Sequence, residues 1–67
     1  MPYVNIRLIP DEKLTVEKKQ ILIRKVTELL RDELGKNPAT TVVTIDELAP
    51  ENWGVGGISI AEQRAKK

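Results

Sequence analysis

The least common atom that this sequence can bring to chemistry is the nitrogen of Pro2. Methionine ahead of proline is commonly removed during maturation, and its loss turns that nitrogen from a tertiary amide into a secondary amine with a lone pair. An ordinary α-amino group has a pKa of about 7.7–8.0, and at about 8 roughly a tenth of it is neutral at pH 7. Desolvation or a neighbouring cation lowers the pKa of an amine. An apolar setting at the head of a strand would therefore make Pro2 a general base without any imidazole. Many proteins also begin Met-Pro with an inert proline, and this residue alone does not separate the two readings.

Other chemistry is scarce. The chain has no histidine and no cysteine, which removes imidazole bases, thiol nucleophiles, zinc sites and disulfides. Gly54-Val55-Gly56-Gly57 follows no strand-to-helix junction and lacks the Lys-Ser/Thr of a phosphate loop, so it reads as a bend. Lys18, Lys19, Arg24, Lys25 and Arg31 interleave with Glu17, Glu28, Asp32 and Glu33, the pattern of a solvated helix face. Trp53, beside the glycines, is either an interface anchor or a pocket wall. Asp46 and Glu47 are neighbours on a strand pattern, so they point to opposite faces and form no acid–base dyad.

The elements that must position these residues follow from periodicity. Val4, Ile6 and Leu8 alternate with Tyr3, Asn5, Arg7 and Ile9, predicting a strand over 3–9 that Pro10 ends. Thr15 is placed to cap a helix, with Glu17 favourable in its first turn. Leu22, Ile23, Val26, Leu29, Leu30 and Leu34 then recur at helical spacing, with Gly35 and Pro38 as the stop. The β-branched run 40–48, between Pro38 and Pro50, predicts a second strand. Strand, helix, strand predicts a parallel pair with a right-handed crossover. Ile58 to Ile60 read as a short strand or hairpin arm, and Ala61 to Lys67 as a polar tail.

Sixty-seven residues make one domain, 1–67, of α+β class. Eleven Lys+Arg against ten Asp+Glu give a net charge of +1, which favours neither nucleic acid nor an anionic membrane. No apolar run approaches the roughly 20 residues of a membrane span. No secretory signal opens the chain, so a soluble, cytoplasmic protein is expected. Below about 70–80 residues one core rarely supplies more than about 3–5 kcal/mol. A two-stranded sheet covered on one face is marginal in water. The sequence therefore predicts a homo-oligomer, with copies covering an open sheet face that carries Tyr3, Ile9 and Val42.

Met1-Pro2 opening into a strand, the long helix, the second strand and Asn52-Trp53-Gly54-Val55-Gly56-Gly57 together resemble the 4-oxalocrotonate tautomerase family, in particular its DmpI-type subgroup. The resemblance covers essentially the whole chain. It implies a βαβ subunit assembled as a hexamer, with the Pro2 amine as catalytic base and Trp53 in the pocket wall. It implies isomerisation of 2-hydroxymuconate-like dienols, small enol acids of the kind met in aromatic catabolism, to keto forms without metal or organic cofactor. The family's well-studied members carry one arginine just before the helix and another early in the second strand. Leu14 and Val42 stand at those places here, with Lys13, Arg7 and Arg64 as other cations. That departure keeps open a different proline-based reaction, dehalogenase- or decarboxylase-like, and a non-catalytic oligomeric binding module.

Overall fold

A computed structural model describes residues 1–66. Strand β1 (Tyr3–Leu8) leads through a loop to helix α1 (Val16–Leu34), and strand β2 (Val42–Glu47) returns parallel to β1. The register runs without a break from Tyr3 opposite Val42 to Leu8 opposite Glu47. This is the βαβ unit that the sequence predicts. Along β1, Val4, Ile6 and Leu8 are half-buried while Tyr3, Asn5 and Arg7 are exposed, the period-two alternation of a strand with one covered face. Val43 and Ile45 of β2 are likewise half-buried, and α1 packs against that strand.

Local chemistry sets the limits of α1. The Thr15 hydroxyl accepts the Lys18 N–H at 3.1 Å, satisfying one of the first-turn donors. At the far end Gly35 has φ +65°, and its N–H donates to the Arg31 carbonyl at 2.9 Å. A residue with a Cβ is strained in that left-handed conformation. The helix thus starts and stops where the sequence places it.

The second strand is shorter than the run 40–48. Pro38–Thr40 form a 3-10 turn instead, where the Asn37 side chain accepts the Ala39 N–H at 3.0 Å. A second such turn, Pro50–Asn52, follows β2. Strands β3 (Gly54–Val55) and β4 (Ile58–Ser59) then form a two-residue hairpin. Its central Gly56 and Gly57 have φ +62° and +84°, the primed-turn geometry that matches strand twist and that glycine adopts freely.

The expected polar tail is a helix, α2 (Ile60–Ala65). The Ser59 hydroxyl accepts the Glu62 N–H at 3.1 Å. Ser-x-x-Glu is a helix-start signature, and here it outweighs the polar composition that follows. Lys67, the end of that expected tail, lies outside the described residues.

The chain does not close on itself. Its radius of gyration is 15.3 Å, against about 11 Å for a compact chain of this length. Its accessible surface is 5170 Å², where a folded monomer of this mass exposes about 4,250 Å². Among the described residues no side chain is fully buried, and Leu29, Leu34 and Val55 are each more than half exposed. The hairpin, α2 and the turn before them pack chiefly on one another rather than on α1 or the main sheet. They form an arm that extends from the βαβ body.

Candidate active site

Pro2 sits directly ahead of β1, where its carbonyl accepts the Val42 N–H at 3.0 Å. The sheet ladder therefore begins at Pro2 through an acceptor, and the missing proline N–H removes no bond from it. Met1 is 92% exposed and makes no hydrogen bond or ion pair among the described residues. Its removal would free the Pro2 nitrogen without breaking any such bond. Val42, where the resemblance implies an arginine, is the apolar neighbour of this end of β1.

The open face of the sheet is more polar than expected. The Asn5 amide donates to Thr44 Oγ1 at 2.7 Å and to Asp46 Oδ2 at 2.9 Å. Tyr3 Oη bonds Thr44 Oγ1 at 3.1 Å, and Arg7 Nη2 reaches Asp46 Oδ2 at 3.3 Å. Arg7 is thus already engaged within its own sheet. Ile9, expected on this face, lies beyond the strand and turns into a cleft instead. Glu47 points the other way and pairs with Lys19 of α1 at 2.8 Å, so the two acidic neighbours do occupy opposite faces.

Trp53 is not near Pro2 in this chain. It follows the turn after β2, at the end of the sheet where Leu48 N–H donates to the Leu8 carbonyl at 2.9 Å. Leu8 lies six residues from Pro2 on an extended strand, a separation of roughly 20 Å. The half-buried Trp53 links the turn to the hairpin, because its carbonyl accepts the Ile60 N–H at 2.8 Å. Arg64 lies on α2 in the arm.

The same end of the sheet holds an open cleft of about 370 Å³. Leu8, Ile9, Leu14, Ile21 and Leu22 make its apolar floor, and Lys13, Lys18, Lys25 and Asp11 stand around it. Leu14, where the resemblance implies the other arginine, lines this cleft without a charge. Sequence reasoning assigns Lys18 and Lys25 to a solvated face and misses the cleft. The spacing Lys18, Ile21, Leu22, Lys25 puts all four on one side of a helix and is its only trace in the chain.

At the end of α1 the hydrogen bond from Arg31 to Asp32, 2.8 Å long, raises the arginine's pKa and lowers the aspartate's. Among the described residues no three His, Cys, Asp or Glu side chains cluster as metal ligands. No helix there is long and apolar enough to cross a membrane.

Comparison with known proteins matches the sequence and the fold to a family. Residues 2–63 match the family model described as tautomerase enzyme. A protein of Dickeya dadantii named probable tautomerase K2 is 59% identical over 64 residues, which cover 96% of this chain and 94% of that one. The 2-hydroxymuconate tautomerase of Comamonas testosteroni is 36% identical over 92% of this chain and 95% of its own. The crystal structure of DmpI from Helicobacter pylori superposes with a TM-score of 0.87 at 43% identity, covering 98% of this chain and all of that one. On fold and on sequence alike, the chain belongs to the tautomerase family of isomerases.

Proposed function

We propose that the protein is a cofactor-free tautomerase that converts 2-hydroxymuconate-like dienols to their keto isomers, with the Pro2 amine as general base after Met1 is removed. The observation that carries this reading is the placement of Pro2. It is held by its carbonyl at the head of β1, while its nitrogen serves no structural bond and Met1 before it is exposed. In the reaction the amine takes the 2-hydroxyl proton as the O–H bond breaks. The electron pair moves through the conjugated system, and the same proton returns to C3 or C5 as a C–H bond forms. General base catalysis of this kind contributes about 10²–10⁴-fold.

A working site needs more than one copy. Pro2 and Trp53 stand at opposite ends of the same sheet, and the outer edge of β1 is unpaired among the described residues. Antiparallel pairing of two β1 edges brings Pro2 of one copy beside Leu8 and Ile9 of the next. Pairing through β2 would leave them about three strand spacings apart, about 14 Å. The reading is therefore a homo-oligomer built on a β1 dimer, with the hexamer implied by the family resemblance as its full assembly.

The test pairs intact-mass measurement with a ketonisation assay. Chains starting at Pro2 are expected to turn over 2-hydroxymuconate, and chains retaining Met1 or acylated at Pro2 to lose at least about a hundredfold in kcat/KM. Full turnover by a Met1-bearing chain would refute the base. A second reading is supported by Leu14 and Val42, which offer no guanidinium to a carboxylate: a different reaction on the same base, dehalogenase- or decarboxylase-like. Comparing kcat/KM for dienols, enolpyruvates and halogenated acrylates separates the two.

A further inference from the structure

The cleft beside α1 joins two properties, an apolar floor and cations that form no ion pair among the described residues. Its floor is entirely aliphatic. Lys18 and Lys25 stand two turns apart on α1, with Ile21 and Leu22 between them on the same side. That separation is about 10 Å along the helix axis. Lys13 approaches from the loop before α1. None of these three lysines takes part in an ion pair among the described residues, where the pairs formed use Arg7, Lys19 and Arg31. Asp11 is the one acidic side chain at the cleft, and its carboxylate accepts the Lys13 backbone N–H at 2.9 Å. A volume of about 370 Å³ is at the small end of ligand pockets, which span about 300–1,000 Å³.

We propose that this cleft binds the apolar body of a small organic acid, and that Lys18 and Lys25 hold its carboxylate groups. Within the proposed function, on which this part rests, the acid is the dienol substrate, and the cleft presents it to Pro2 of a second copy. The ammonium groups then supply the charge that Leu14 and Val42 lack. Lysine acts as a hydrated point charge rather than a bidentate fork. Recognition by it tolerates acids of different length and orientation, and it weakens as salt rises.

The direct test measures binding of muconate, an unreactive dicarboxylic diene, to the full chain lacking Met1. Lys18→Glu/Lys25→Glu is expected to weaken the muconate Kd by roughly tenfold or more, the scale of removing two exposed ion pairs. KM for 2-hydroxymuconate should rise in step while kcat changes less. Lys36→Glu, away from the cleft, should leave both unchanged, and circular dichroism confirms the fold of each variant. An unmoved Kd in the double variant overturns the proposal, as does a cleft found filled by the arm of another copy. Failure of the base is distinguishable. If capping Pro2 leaves turnover intact while muconate still depends on the lysines, the cleft stands and the base falls. If capping abolishes turnover and the lysines change nothing, the reverse holds. Co-expressing a Met1-retaining chain with the double variant should restore about a quarter of wild-type sites, because a two-fold interface recombines the two intact halves. No restoration would show that the cleft does not serve a second copy.

Discussion

The βαβ body, residues 3–48, and the arm, residues 49–66, are built from similar short elements, yet they are held in different ways. In the body a 19-residue helix lies on two strands in unbroken parallel register, and the Lys19–Glu47 and Arg7–Asp46 pairs tie opposite sides of the sheet. In the arm a two-residue hairpin and a six-residue helix pack on the turn before them and leave Val55 56% exposed. Neither region buries a side chain completely. The body lacks only a cover, whereas the arm lacks a surface to rest on. In the proposed oligomer, assembly would complete the body but give the arm its position.

Substitutions in the two regions should therefore fail differently. Trp53→Ala is expected to have the larger effect, about 2–3 kcal/mol, below the roughly 3–5 kcal/mol of truncating a fully buried tryptophan because the side chain is half-buried in the single chain. Its signature should be dissociation, read by sedimentation velocity at micromolar concentration, with lower kcat/KM. An intact assembly with the loss confined to thermal stability would place Trp53 inside its own arm and erase the contrast. Gly35→Ala, at φ +65°, should cost about 1–2 kcal/mol in urea unfolding. It should do so with an unchanged sedimentation coefficient, since it strains only the end of α1.

The smallest effect concerns Arg31 and Asp32. Their hydrogen bond lowers the aspartate's pKa in the folded state, so its contribution is present above the ordinary carboxylate range and fades as pH falls through the lowered value. The raised arginine stays charged throughout. Both side chains are largely exposed, so solvent screens the pair. Asp32→Asn should leave the melting temperature at pH 7 unchanged, and a visible shift in the acid limb would mean that another copy covers this end of α1.

Much of the body is legible in the chain because its signals are local. The hydroxyl of Thr15, the left-handed Gly35 and the alternation along β1 act over one to four residues, and each reads directly from neighbouring positions. The helix α2 carries such a signal too, in Ser59 and Glu62, but its polar composition masks the cap. The site is legible only in pieces. Pro2, Trp53 and the lysines can each be singled out by type. How Pro2 and Trp53 lie, however, depends on a register between segments about forty residues apart, and the lysines' cleft depends on how α1 packs against the end of β1.

Caps, turns and periodicity are properties of adjacent residues, so the order of residues alone specifies most of the elements and singles out the Pro2 nitrogen as the candidate base. Folding adds the rest: Asn5, Thr44 and Asp46 join across the open face, Lys18 and Lys25 border an apolar cleft, and Pro2 lies at the opposite end of the sheet from Trp53. The parallel crossover fixes the first and the last, because it sets which end of β1 meets which end of β2, while the cleft forms where the end of β1 and the loop after it meet α1.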